Sequence, residues 1–284
     1  MANLLSLKRR IKAARNVSKT TKAMQMIAVS KLKKAQDATV AGRPYVEKLS
    51  IVSQNVLSRL ENDEYTHEYM KKSENNKSLI IIFSPDKAFC GGLITNLTRE
   101  IINFDKENKN NVYLTVGKKV ESTIVGLGKE LVAAFNFGTT LPSFDKVLPI
   151  VKIIDEYFLT QSVGNVKLIS TNFTSIFSQK PTITNILPIE LTKSESKSST
   201  LFEPLPQELL PPLLRHYLEM TIYQHLLESY TSEQGARMVA MQNATDNALE
   251  IVEDLQLEYN KGRQEKITNE ILDIGSAAFT YAYE

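Results

Sequence analysis

Residues 4–36 read LLSLKRRIKAARNVSKTTKAMQMIAVSKLKKAQ, and this stretch decides how the rest of the chain is interpreted. Apolar or small side chains recur in it at steps of three and four residues, which is the spacing of one helical face. They are Leu4, Leu7, Ile11, Ala14, Val17, Thr21, Met24, Ala28, Leu32 and Ala35. Because several of them are small, a partner helix could approach this face closely.

The helical stripe resumes after Gly42-Arg43-Pro44, a tripeptide that can bend a helix. Its later members are Val46, Leu49, Val52, Val56 and Leu60. The whole pattern predicts a helix from residue 3 to about residue 59, roughly 85 Å long at 1.5 Å per residue. That length is far greater than a globular domain needs.

Charge separates the two ends of the chain. Residues 1–59 contain thirteen Lys or Arg and two acids, a net charge of +11. Residues 203–284 contain five bases and fourteen acids, a net charge of −9. We expect two end segments of opposite charge to lie side by side.

The C-terminal segment has helical periodicity from Pro211-Pro212 almost to its end. Its predicted inner face consists of Leu214, Leu218, Ile222, Leu226, Ala236, Val239, Asn243, Asn247, Ile251, Leu255 and Tyr259. One long helix enters the middle of the chain and the other leaves it, so the two must run antiparallel. The second, of about 75 residues and roughly 110 Å, should project about 30 Å beyond residue 1. Its apolar tip, residues 267–283, needs a socket on another protein.

The middle of the chain has a different period. Residues 78–83 (SLIIIF) form a continuous apolar run, typical of a strand buried on both faces. Further strands are predicted at 112–116, 131–135 and 166–170, with an edge strand at 182–189, and helices at 93–104, after Gly117 and at 144–159. Residues 61–77 and 193–200 are interpreted as loops. This alternation indicates an open, mostly parallel sheet.

The predicted fold class is therefore α/β, with a long antiparallel coiled coil of the N- and C-terminal helices plus a central Rossmann-like open α/β domain. Residues 1–60 form the first coiled-coil helix, residues 77–192 the central domain, and residues 207–284 the second coiled-coil helix.

The sequence contains no recognisable active site. Cys90-Gly91-Gly92 lies where a doubly wound sheet would hold a phosphate, but neither GxGxxG nor GxxxxGK[ST] occurs. The single cysteine excludes an internal disulfide, and we expect it to be buried in packing. His67, His216 and His225 lack the spacing of a helical metal pair, and no apolar run approaches the roughly 20 residues that span a bilayer. We predict no enzymatic activity, no cofactor and no metal.

The basic N-terminal helix leaves one alternative function open, since such a helix would be attracted to nucleic-acid phosphate. Its only aromatic residue is Tyr45, so it offers no platform for stacking bases. The acidic C-terminal segment is also available as counter-charge, so no nucleic-acid partner is expected. The second alternative is an interaction scaffold with a coiled-coil arm.

Four segments carry recognisable motifs. Residues 11–36 contain IKAARN and TTKAMQMIAVSKLKKAQ, residues 232–247 read SEQGARMVAMQNATDN, and residues 259–273 contain YNKGRQ and ITNEILD. Residues 84–92 read SPDKAFCGG. In this order they resemble the N-terminal helix, the C-terminal helix, the terminal signature and the S-D-[KR]-G-L-C-G turn of the γ subunit of F-type ATP synthases. The likeness covers the whole chain, although the turn has an inserted Pro85.

The resemblance implies a non-catalytic central-stalk rotor, present in one copy per rotary proton-transporting ATP synthase. Its coiled coil would stand inside a ring of three α and three β subunits, and its α/β domain near an ε or δ subunit and the ring of c subunits. The complex would be peripheral on the energy-coupling membrane, at the cytoplasmic face of a bacterial plasma membrane or, alternatively, the matrix face of the mitochondrial inner membrane.

The resemblance also implies which residues contact the surrounding ring. They are Lys22 and Met24 on the first helix, and Arg237, Gln264, Thr268 and Glu270 on the second. For each of them, ordinary coiled-coil packing or exposure to solvent is the alternative.

Overall fold

The computed structural model describes residues 4–60, 67–73, 75–108, 110–191 and 202–281, with side chains described as far as residue 275. The loop predicted at 193–200 lies outside these ranges.

The chain divides into two compact units. Residues 28–237 form one, which we call the sheet unit, and residues 1–27 with residues 238–284 form the other, which we call the two-helix unit. The predicted division into domains at 1–60, 77–192 and 207–284 stays a prediction.

The described residues contain five α-helices and two short 3₁₀ turns. The helices are α1 Leu4–Leu57, α2 Leu93–Glu107, α3 Lys118–Gly126, α4 Leu148–Leu159 and α5 Pro206–Tyr281, and the turns are Glu68–Met70 and Phe144–Lys146. The long N-terminal helix is confirmed, and α1 continues through Pro44. The C-terminal helix begins at Pro206, one residue before the predicted segment 207–284 and five residues before the Pro211-Pro212 pair from which its periodicity was predicted. Pro206 is tolerated at the first helical position because it loses no helical hydrogen bond there.

Five strands form one sheet in the order β3-β2-β1-β4-β5. They are β1 Ser78–Phe83, β2 Asn111–Val116, β3 Glu130–Phe135, β4 Asn165–Ser175 and β5 Ser178–Leu187. The first four strands run parallel, and β5 pairs antiparallel with β4. The predicted fold class is confirmed. β4 continues past its predicted end because residues 171–175 pair with β5 in a hairpin.

Both faces of β1 are buried, as the run SLIIIF predicts. Alternate side chains face opposite sides of the sheet. Leu79, Ile81 and Phe83 belong to a core closed by α4, α5 and the end of α1, whereas Ile80 and Ile82 belong to a core closed by α2 and α3. A parallel sheet covered on both faces in this way accounts for the unbroken apolar run.

The helices of the two-helix unit run antiparallel, as predicted. The Leu4 side chain lies beside Gly262, and the hydroxyls of Thr21 and Thr245 are 2.7 Å apart. As residue numbers rise along α1, their partners on α5 therefore fall.

The inner face of α5 in this unit differs from the predicted one. The buried and half-buried residues that follow one 4-3 repeat along it are Met241, Thr245, Ala248, Val252, Leu255, Tyr259 and Gly262. The predicted inner residues Asn243, Asn247 and Ile251 are exposed, so those three assignments were wrong. Steps of four residues drift around a helix of 3.6 residues per turn, whereas alternating steps of four and three average 3.5 and keep one face.

On α1, two valines predicted to face inward are exposed. Val17 and Val52 are 51% and 41% exposed, and the neighbouring Ser18 and Ser53 are buried instead. The hydroxyl of Ser53 donates to the Leu49 carbonyl oxygen at 2.8 Å, so it can be buried without losing a hydrogen bond. In both neighbouring pairs the valine was predicted to face inward because it is more hydrophobic, but the serine does.

Candidate functional site

The carboxyl edge of the sheet, where open α/β sheets bind ligands, is occupied by α5 of the same chain. Leu226, Tyr230 and Glu233 line what remains of the crevice together with residues that follow β1, β2 and β3, and the cavity measures about 40 Å³. The Tyr230 hydroxyl donates to the Thr139 carbonyl oxygen at 3.1 Å. A space of this size holds about one or two water molecules.

The turn after β1 is bound tightly to the rest of the sheet unit. Phe89 and Gly91 have φ of 67° and 58°, in the left-handed region. Between them Cys90 is 1% exposed and packs with Leu93 and Ala236, so its predicted burial is confirmed. Burial raises the pKa of the Cys90 thiol, although the nearby charge of Arg237 opposes this effect. The thiol is therefore placed for packing rather than for attack on a substrate.

Arg237 is the one predicted site residue that lies in the sheet unit, and it is 9% exposed. Its guanidinium donates from Nη1 to Glu233 Oε1 at 2.6 Å, and from Nη2 to the carbonyl oxygens of Lys87 and Ala88 at 3.1 and 3.4 Å. Three of its hydrogen bonds are thus made within its own chain.

Lys22 and Met24 lie on α1 in the two-helix unit. Lys22 is exposed and Met24 is half-buried. They flank the seam formed by Thr21 and Thr245, so both can contribute to the outer surface of the helix pair at this level.

Gln264, Thr268 and Glu270 lie on α5, and all three are exposed. The Thr268 hydroxyl donates to the Gln264 carbonyl oxygen at 2.9 Å, and Glu270 is 3.5 Å from Lys266. These three residues come together on one stretch of helix, which begins 19 residues, or about 28 Å, along α5 from Thr245.

The charges of the two-helix unit face outward rather than towards each other. All seven Lys and Arg residues between positions 4 and 27 are exposed, and that stretch contains no acid. Between described residues 4–27 and 238–272, no Lys or Arg nitrogen lies within 4.0 Å of a carboxylate of the other helix. The two helices do lie side by side, and within these ranges small and apolar side chains join them.

The basic side of α1 borders a shallow groove of about 450 Å³. It is lined by Lys8, Ile11, Lys12, Arg15, Asn16, Lys19, Gln256 and Tyr259. The polar contact across it joins Arg15 to the Gln256 side-chain oxygen at 3.4 Å. Four positive side chains therefore border one open groove, a surface that favours an acidic partner.

Two threonine pairs join α1 to α5, and sequence reasoning missed both as pairs. Thr21 meets Thr245 in the two-helix unit, and Thr39 meets Thr231 at 2.9 Å in the sheet unit. Each of the four hydroxyls also lies within hydrogen-bond distance of the carbonyl oxygen four residues earlier in its own helix. In each pair one hydroxyl can therefore donate to that carbonyl while it accepts the proton of the other. Thr21 was placed on the inner face of α1 by its spacing, but its partner Thr245 was not, because the predicted inner face of α5 ran through Asn243 and Asn247 instead.

Two general properties complete the description of the site. Along the ranges described, no helix has the length and apolar character that crossing a bilayer requires. Within the same ranges, no three His, Cys, Asp or Glu side chains are grouped so as to hold a metal ion.

Comparison with known proteins places the chain in a family. Residues 3–280 match the family described as ATP synthase. The chain is 40% identical over 283 residues to the ATP synthase gamma chain of Dehalococcoides mccartyi (strain BAV1), covering 98% of this chain and 99% of the relative. It is 36% identical over 288 residues to the ATP synthase gamma chain of Ruthia magnifica, with the same coverage.

The fold is shared with solved structures. A chain of the Euglena gracilis mitochondrial ATP synthase rotor aligns with a TM-score of 0.66 at 17% identity, covering 93% of this chain and 98% of that one. A chain of the Tetrahymena thermophila mitochondrial ATP synthase central stalk and c ring aligns with a TM-score of 0.61 at 22% identity, covering 79% and 99%. Full-length identity of this degree, with the long paired helices and the open sheet, makes the chain a member of the ATP synthase gamma-chain family.

Proposed function

We propose that this chain is the rotating central shaft of an F-type ATP synthase and performs no bond chemistry itself. The observation that carries the proposal is the two-helix unit. Its seam is a continuous 3-4 repeat, while all seven bases of residues 4–27 on α1 and the side chains of residues 263–274 of α5 face outward. A pair of helices whose charged side chains are exposed on the outside is suited to contact with surrounding proteins.

The proposed partners are three α and three β subunits around the paired helices, and an ε or δ subunit and the c ring near the α/β domain, with one copy of this chain per complex. Residues 1–60 and 207–284 would form the shaft, and residues 77–192 the part that the c ring turns. The complex would be peripheral on the energy-coupling membrane, at the cytoplasmic face if the source is bacterial like the relatives named above.

The mechanism follows from asymmetry. A shaft that is basic on the α1 side and mainly acidic on the α5 side presents a different face to each of three similar catalytic subunits. Each orientation favours a different conformation of each site, so rotation shifts the three populations in turn. Exposed ion pairs contribute only about 0–1 kcal/mol each, so they can guide the shaft without fixing it at one angle.

We propose that the exposed or half-buried candidates Lys22, Met24, Gln264, Thr268 and Glu270 contact the ring directly. Arg237 differs from these five residues because its guanidinium is buried and already donates hydrogen bonds to Glu233 and to the turn after β1. We therefore propose that Arg237 acts on the ring through the turn that it holds.

Rotation of a single complex tests the proposal. Phe177, at the tip of the β4–β5 hairpin, is 84% exposed and can be replaced by cysteine to attach a visible probe, with Cys90→Ala preventing a second label. Assembled with α and β subunits of a bacterial relative, the labelled chain should turn in one direction when ATP is added. Binding of ATP-hydrolysing subunits without rotation would favour the scaffold alternative. Salt-dependent DNA binding by the whole chain would favour the nucleic-acid alternative.

A further inference from the structure

The turn between β1 and α2 is held by a buried ion pair of α5. Arg237 and Glu233 are 9% and 8% exposed, and their closest nitrogen and oxygen are 2.6 Å apart. The second terminal nitrogen of Arg237 reaches the carbonyl oxygens of Lys87 and Ala88. One guanidinium thus joins the helix to two consecutive peptide groups of the turn.

The surroundings make this pair hard to replace. Gln234 donates to Glu233 Oε1 at 3.3 Å, so the carboxylate has two partners. Burial raises the pKa of Glu233, and the charge and hydrogen bond of Arg237 oppose that rise. A buried carboxylate whose cation is removed would remain unpaired in a poorly solvated place.

The turn itself would not keep its shape unaided. Phe89 has a φ of 67°, a conformation that costs a bulky residue free energy, and its side chain is 64% exposed, so little packing compensates for it. The next residue, Cys90, packs on Ala236, which lies beside Arg237 in the helix. An apolar contact and a bidentate donor therefore hold the turn at adjacent positions of α5.

We propose that Glu233 and Arg237 form a clamp that fixes the β1–α2 turn to α5, so that turning of the sheet unit is passed to the helix. Glu233, Arg237 and the turn all belong to the sheet unit, so the clamp lies within one compact unit. In this role the two are positioning residues. The inference rests on the proposed rotor function, but the clamp can be tested without it.

The test compares Arg237→Lys with Lys87→Ala in the full-length chain. Lysine keeps the positive charge beside Glu233, but its single nitrogen cannot reach the carboxylate and both carbonyl oxygens together. Lys87→Ala removes an exposed side chain and leaves its carbonyl in place, so it is the matched control. The first measurement is amide hydrogen exchange over residues 84–96 and 117–119, where Leu93 and Lys119 donate to carbonyls of the turn.

We expect Arg237→Lys to exchange about tenfold faster in these segments, with little change in melting temperature, and Lys87→Ala to exchange like the wild type. Unchanged exchange in Arg237→Lys would overturn the clamp. Should Arg237→Lys unfold the chain, Glu233→Gln takes its place. Glutamine at position 233 still offers an oxygen to Arg237 but lacks the negative charge of the carboxylate. We expect it to accelerate amide hydrogen exchange in the same segments.

The second measurement is proton pumping per ATP hydrolysed in membranes carrying the assembled complex. The clamp predicts fewer protons pumped per ATP hydrolysed in Arg237→Lys than in the wild type or in Lys87→Ala. Faster exchange with wild-type pumping would overturn the role in torque transfer and leave the rotor proposal intact. If the wild-type chain itself fails to rotate in the probe experiment, the rotor proposal fails, and the exchange result still decides the clamp.

Discussion

The sheet unit and the two-helix unit differ in how much of their side-chain surface is buried. In β1 every side chain is buried between two cores, whereas every side chain from residue 263 to residue 274 of α5 is exposed. Between these extremes the paired stretch of the two-helix unit has a narrow seam that includes Ala14, Ser18 and Thr245. Burial in the sheet unit supplies stability, while most side chains of the two-helix unit are exposed.

The largest effect should come from the centre of the sheet. Ile81→Ala removes a side chain that is fully buried in β1, and it should lower the free energy of unfolding by about 3–4 kcal/mol because a cavity remains. Chemical denaturation of the isolated chain measures this. Ile267→Ala, at a 47% exposed position of α5, is the matched control and should change stability by less than about 0.5 kcal/mol. If both variants lost the same free energy of unfolding, the proposed difference in burial between the two units would be contradicted.

Asp105 offers an electrostatic test within the sheet unit. It accepts hydrogen bonds from Tyr113 at 2.7 Å and is 2.7 Å from the Lys129 nitrogen. Burial alone would raise the pKa of Asp105, but these partners outweigh it and lower the pKa below its usual value.

A lowered pKa contributes stability above the unfolded-state value, about 3.9, which is lost as pH falls through the folded-state value. Asp105→Asn should therefore cost about 1–2 kcal/mol at pH 7, and the difference from wild type should shrink below pH 4. Thermal melts across pH check this. A difference that stays constant down to pH 2 would contradict the assigned ion pair.

The seam of the two-helix unit should tolerate substitution better. In Thr245→Val, Thr21 loses its partner but keeps its bond to the Val17 carbonyl oxygen, so no buried hydroxyl is left unsatisfied. The expected loss is about 0.5–1 kcal/mol, measured by thermal unfolding. Thr268→Val, at an exposed α5 position, is the control. A loss of stability as large as that of Ile81→Ala would show that the seam is as sensitive to substitution as the core of the sheet unit.

Met24→Lys should have the smallest effect on stability and a clear effect on coupling. Met24 is half-buried beside exposed bases, so a lysine can extend into solvent and form an ion pair with an acidic partner in some rotary positions. Such a pair is worth about 0–1 kcal/mol, enough to make the orientations unequal. We expect fewer protons pumped per ATP hydrolysed, and Met24→Leu should behave like wild type. Unchanged pumping in Met24→Lys would remove Met24 from the proposed contacts.

How far the sequence could predict the molecule depended on the kind of signal. The run at 78–83 predicted β1 to the residue, since only a strand between two covered faces tolerates so many apolar side chains in succession. Val17 and Val52 were misplaced because a serine that bonds to its own helix can be buried as readily as a valine. Periodicity therefore located elements better than it located their inner faces.

The candidate site was less accessible from the sequence. The exposure of Lys22, Gln264 and Glu270 agrees with a contact role that stays a prediction. The pairing of Arg237 with Glu233 could be suspected from their spacing of four, but its bonds to residues 87 and 88, 149 positions and more away, depend on tertiary structure. No local pattern encodes such a contact.

The seven-residue repeat of the seam has a mechanical consequence. Because 3.5 residues per turn is fewer than the 3.6 of a straight helix, two helices with this repeat wind around each other in a left-handed sense. A twist in that sense tightens the winding, and the opposite twist opens it. The helix pair therefore resists twisting differently in the two directions, so the elastic energy that it stores for a given torque differs between clockwise and anticlockwise loading.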